Sequence, residues 1–167
     1  MKRLVELFQI LLLIAAASVL LARQDVNPAV GTWKLNVAES KFDSTAAPKS
    51  ATRTVEEHGD GMTVSYDLVT ADGGTVKWGF TAGFDDKDSP ITGSGTGWRE
   101  NWVGGADTIA LRRLNSSTIA AALKKGGSVV MTSRVVVSKS GKVTTLTMNG
   151  ADAKGQPTKN VLVWDKQ

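Results

Sequence analysis

The chain has no cysteine among its 167 residues. Disulfide staples, thiolate metal ligands, cysteine nucleophiles and a lipid anchor through cysteine are therefore excluded. Its one histidine, His58, stands beside a Gly-Asp-Gly turn, where a solvated polar residue is the ordinary occupant. Nucleophilic and metal chemistry are thus poorly supplied, and acid–base work would fall to carboxylates alone. No enzymatic activity, catalytic residue, metal or cofactor is expected. Charge of one sign is also scarce: the formal net charge is +4, with acidic "DDKD" at 85–88 offsetting basic "LKK" at 123–125. A nucleic-acid partner, which needs a concentrated basic face, is not expected. Beyond Val26 no segment carries helical periodicity.

The chain begins with "MKRLVELFQILLLIAAASVLLARQD". Lys2 and Arg3 are followed by an apolar run from Ile10 to Ala22, with small residues at Ala15, Ala16, Ala17 and Ala22. Basic, then apolar, then small is the layout of a secretory signal peptide. A membrane anchor is the competing reading, but the run falls short of the roughly 18 residues a span needs. Cleavage is expected after Ala22, with Ala17 the second candidate, giving a signal peptide over 1–22. A lead-in over 23–30 and one domain over 31–167 follow. The expected location is the bacterial periplasm or the exterior, with no stable membrane span after cleavage. A chain without disulfides must hold itself by packing alone, and the remaining length suffices for a core.

Period-two alternation recurs along that domain. "TVSYDLV" puts Val64, Tyr66 and Leu68 on one face, and "TVKWGFTA" does the same for Val76, Trp78, Phe80 and Ala82. Strands are expected near 32–37, 51–57, 62–69, 75–83, 90–93, 107–114, 118–124, 128–138, 142–149 and 159–165. Short turn-forming stretches such as "HGDG" at 58–61 and "ADGG" at 71–74 separate many of them. Links this short make successive strands antiparallel neighbours. An open meander of that size would expose two edges and an apolar face, and closure removes both. The fold class is therefore all-β, a single antiparallel up-and-down β-barrel of about eight to ten strands. Two irregular stretches remain, 37–50 and 93–106.

Gly31 and Trp33, in "GTWKL", suit the first strand of such a barrel: the glycine permits close approach of a neighbour and the indole plugs one end. "NVLVWDK", carrying Trp164, must pair with it to close the ring. "VGTWKL" at 30–35, "TIALRRL" at 108–114 and "VWDK" at 163–166 resemble the calycin superfamily, lipocalins and fatty-acid-binding proteins, and the fatty-acid-binding branch most closely. The mature chain is also similar to small exported bacterial lipocalin-like proteins. The resemblance implies a barrel with a ligand cavity. Two family features are missing. The stretch 37–50 is too short for a two-helix lid, and the family's carboxylate-gripping Arg-x-Tyr pair corresponds here to Leu162 and Trp164.

Several stretches compete for a functional reading. "FDDKDSP" offers Asp85, Asp86 and Asp88 as loose oxygen ligands, but turn-forming aspartates are the ordinary explanation. "GSGTGW" at 93–98 lacks the strand–loop–helix setting of a phosphate cradle. Trp98 and Trp102 in a Gly-flanked polar segment either cap a barrel end or form a ligand-facing rim. The segment 93–106 is expected to be the most mobile part of the barrel and one mouth of its cavity. In "TIALRRL" alternation from Ile109 and Leu111 carries Arg113 inward, and Arg134 has an apolar setting on either face. Each is a candidate anchor for an acidic head group, against an ordinary ion pair or solvent exposure. The expected function is binding of a small hydrophobic or amphipathic molecule by Tyr66, Trp78, Phe80, Trp98, Trp102, Arg113 and Arg134. The protein is expected to be a monomer. The competing reading is a filled barrel with a structural or interaction role at the envelope and no ligand.

Overall fold

The computed structural model describes residues 27–43, 45–152 and 154–167. The signal peptide expected over 1–22 and the first half of the lead-in lie outside the described residues.

Ten strands form one closed antiparallel barrel in which each strand pairs with its chain neighbours and the last pairs with the first. They are β1 (Gly31–Lys41), β2 (Ser50–His58), β3 (Gly61–Val69), β4 (Thr75–Gly83), β5 (Ser89–Ser94), β6 (Thr108–Asn115), β7 (Thr118–Lys125), β8 (Ser128–Val137), β9 (Val143–Ala151) and β10 (Pro157–Lys166). A short helix, α1 (Trp98–Val103), joins β5 to β6. Alternation explains the facing: Val64, Tyr66 and Leu68 on β3 and Val76, Trp78 and Ala82 on β4 are buried, while Ser65, Asp67, Lys77 and Thr81 are exposed. Burying one face and closing the ring removes both liabilities of an open sheet.

The first and last strands meet at the β1–β10 seam, where Trp33 lies opposite Lys166 and Leu35 opposite Trp164. Gly31 has φ +129°, and a Cβ there would come within 2.9 Å of Lys166 Cε. The Lys166 ammonium occupies that space, 5.2 Å from the centroid of the Trp33 ring. Trp33 is fully buried and donates its indole N–H to the Ala29 carbonyl at 2.8 Å. Glycine and tryptophan in "GTWKL" thus serve the closure for which their residue types suit them.

Two expectations about local structure change. The first strand continues to Lys41, because Ser40 and Asn36 keep bonding β10 across a bulge: Ser40 Oγ accepts from Val163 N–H at 2.9 Å and Asn36 Nδ2 donates to Asp165 at 3.1 Å. The stretch 93–106 is not a plain loop, since α1 lies within it. Gly97 and Gly104 flank α1 in the left-handed conformation, which glycine adopts without the penalty of a Cβ. Val103 and Ala106 are fully buried in the same core cluster as the barrel interior. No helix of the described residues is long and apolar enough to cross a membrane.

Candidate binding site in the barrel interior

The interior is occupied mainly by its own side chains. A cavity of about 50 Å3 remains, lined by side chains that include Arg53, Tyr66, Trp78, Phe80, Met62 and Met148. Ligand pockets for drug-sized molecules run to roughly 300–1,000 Å3, so the present space suits a few atoms or a few waters. Tyr66, Trp78 and Phe80 were expected to line the interior, and they do.

Arg53 dominates the chemistry of this cavity. On β2 the residues Ala51, Arg53 and Val55 share the buried face, so strand alternation carries the guanidinium into the core. It lies 5.5 Å from the Trp33 ring centroid and 5.4 Å from that of Trp164. Each indole face attracts a cation. One terminal nitrogen donates to Thr144 Oγ1 at 2.9 Å. The cross-strand partner of Arg53 is Tyr66, which in turn stacks on Trp78 with centroids 4.0 Å apart and meets Trp164 edge-on at 5.8 Å. The arginine therefore stands in an aromatic box.

Among the described residues the ion pairs join Lys77 to Asp67, Lys87 to Asp85, Arg112 to Asp86 and Lys124 to Asp88. None gives Arg53 a carboxylate. Burial pushes its guanidinium below the ordinary arginine range, and Tyr66, charge and hydrogen bond together, pulls it partway back. Burial likewise pushes the Tyr66 phenol up, opposed by the neighbouring Arg53. Three buried donors around Tyr66 find no hydrogen-bond partner among the described residues: Arg53 Nε, Trp78 Nε1 and Trp164 Nε1. A buried group without a partner is costly and calls for an explanation. All three are N–H groups, so what the interior lacks is an acceptor.

The other expected anchors lie elsewhere. Arg113 is exposed rather than interior. It pairs with Ile119, which lines the cavity, so its strand face is inward, but it sits at the barrel end and stacks 4.2 Å over the Phe84 ring. Arg134 is exposed on the outer wall, because its neighbours Ser133 and Val135 take the inward positions. Trp98 and Trp102, both half-buried, do not line the interior cavity. A Cβ on Gly93 would come within 2.7 Å of the Trp98 ring, so that indole packs directly on Gly93. Its other face takes the Arg99 guanidinium, 4.5 Å away. Trp102 faces a separate cleft at the barrel rim. Gly31, Trp33 and Trp164 occupy the closing seam as expected.

The residue that sequence reasoning missed is Arg53. Its signal was present in "SATRTVEEH", where alternation with Ala51 and Val55 marks it as inward. No protein-family model matches the chain, and no curated protein is significantly similar to it.

Proposed function

We propose that this protein is an exported, monomeric, calycin-like binding barrel that takes a small amphipathic molecule bearing an acceptor-rich, anionic head. The observation that carries the reading is the cluster of orphan donors, Arg53 Nε with the Trp78 and Trp164 indoles, beside a cation that no carboxylate of the described residues neutralises. A ligand carboxylate would meet the guanidinium in a site of low dielectric, where charge-assisted hydrogen bonds are strong. Its apolar part would lie against Phe80, Met62 and Met148. Unbranched methionines adapt readily, which is how a tail longer than the present cavity would be admitted. Catalysis is not part of this reading, in which the donors bind and orient the ligand. The calycin-like assignment rests on the resemblance in "GTWKL" and "VWDK", together with a seam in which Lys166 covers Trp33.

The small cavity favours a second reading, a filled barrel acting through its outer surface. Small barrels are commonly filled by their own side chains. The experiment that separates the two is tryptophan fluorescence during titration with medium-chain fatty acids, beside their methyl esters. A quench by the acids, lost in Arg53→Met and weaker with the esters, is the expected result. No change across the series, together with native mass spectrometry free of any co-purified small molecule, leaves the filled barrel.

A further inference from the structure

The rim cleft is far larger than the interior cavity, about 670 Å3, within the range of small-molecule sites. It lies at the end of the barrel where the β3–β4 turn meets the β5–α1 connection, and Trp102 of α1 forms one wall. The polar part of the lining is hydroxyl, amide and carboxylate, including Thr75, Thr96, Asn101 and Asp72, while Ala46, Ala71 and Val76 add apolar surface. Among the described residues no arginine or lysine lines it, although the Lys49 ammonium lies near enough to Asp72 to act on its charge. The carboxylate is held in place, because Asp72 Oδ1 accepts from the Thr70 hydroxyl and from the Gly74 N–H at 3.1 Å. Oδ2 has no hydrogen bond among the described residues. Gly95 keeps the floor low, since a Cβ there would meet the Thr75 carbonyl at 2.3 Å.

From this lining we infer that the rim cleft is a binding site for a neutral saccharide, a hexose or hexosamine unit. A sugar ring has an apolar C–H face and a circumference of hydroxyls. A half-buried indole offers the flat apolar surface for the first, and a few placed polar groups fix the orientation of the second. The donor–acceptor set fits: a carboxylate accepts two hydroxyl protons, and an amide both donates and accepts. An anionic ligand fits poorly, since the charged side chain that lines the cleft among the described residues is the Asp72 carboxylate. A purely apolar ligand would cover Asp72 Oδ2 and the Asn101 amide without giving either a hydrogen bond. The site shares no lining residue with the cavity around Arg53, so it does not depend on the interior reading.

The test is isothermal calorimetry of the purified protein with maltose, cellobiose and di-N-acetylchitobiose, with glucose 6-phosphate as the anionic control. Binding of at least one neutral disaccharide and none of the phosphate ester is expected. Trp102→Ala should weaken it by about tenfold or more, equivalent to about 1.4 kcal/mol. Trp102 also packs against the core, so the exposed Asn101→Ala and Asp72→Asn provide variants whose folding is not at stake, each expected to weaken binding severalfold. Arg134→Ala on the outer wall should leave it unchanged. Absence of binding to all three disaccharides, or binding indifferent to Asn101 and Asp72, overturns the proposal.

Discussion

The barrel has two unlike sides. At the closing seam the first and last strands pair although they are far apart in sequence. There β1 and β10 pair from Trp33–Lys166 to Asn36–Val163 and, across a bulge, again at Lys41–Val161. Trp33, Trp164 and Arg53 fill the space behind the seam with almost no exposure. On the opposite side β5 and β6 are close in sequence yet pair only at Ser89–Ile109 and Pro90–Thr108, helped by Ile91 N–H on the Asp107 carbonyl at 2.9 Å. The space left there is covered by α1 and its glycines. Proximity in the chain therefore does not set pairing strength. Side-chain burial does: the seam joins strands whose inward residues are large aromatics, while β5 has only Ile91 in the core.

Removing an indole from each side puts the comparison at greatest risk. Trp33→Ala should cost about 3–5 kcal/mol, the usual range for truncating a fully buried aromatic. The double change Trp98→Ala with Trp102→Ala should cost less than that single one, because both rings are half-exposed. Chemical denaturation midpoints decide it. If the double variant loses more, α1 is a structural plug on a par with the seam, and the two sides are energetically alike.

The middle of the scale belongs to Arg53. Replacing a whole buried ion pair by apolar side chains of similar volume is often neutral or stabilising, by about 1–4 kcal/mol, and losing Arg53 would leave no carboxylate of the described residues stranded. Arg53→Met is therefore expected to keep or raise the denaturation midpoint while abolishing the response to fatty acids. A protein that gains stability by losing a residue keeps that residue for another purpose, here binding. A large fall in midpoint would instead make the guanidinium a structural part of the seam, held by Trp33, Trp164 and Thr144.

What could be read from the sequence followed from how each feature is encoded. The strands were legible because burial on one face writes a period of two, as in Val64, Tyr66 and Leu68. The helix was not, since α1 spans 6 residues and is too short to write a period of 3.6. Ile109, Leu111 and Arg113 were read on one face correctly, but alternation gives the facing and not the depth. Arg113 lies at the end of the wall, where Phe84 and solvent take it. Tyr66, Trp78 and Phe80 were found by the same alternation. Arg53 obeys it too, and its neighbours Thr52 and Thr54 gave the stretch a polar look that hid the buried face. The rim cleft is built by loops from distant parts of the chain, which no local pattern records.

The smallest effect, and the sharpest probe of the seam side, concerns Tyr66. It is the single tyrosine in the chain, so tyrosinate absorbance reports this residue alone. Burial raises its folded-state pKa above the ordinary value of 10.0. A group whose pKa is raised on folding contributes stability that is fully present below its unfolded pKa. That contribution is lost as the pH climbs through the folded-state value. Stability should thus hold up to about pH 10 and fall beyond it, with tyrosinate appearing together with the loss of tryptophan burial rather than before it. Tyr66→Phe removes the phenol, changes stability at neutral pH by on the order of 1 kcal/mol at most, and should flatten the alkaline fall. Tyrosinate forming while the fold is intact would mean that the space around Arg53 is open to solvent, and the contrast between a dry seam and a looser opposite side would not hold.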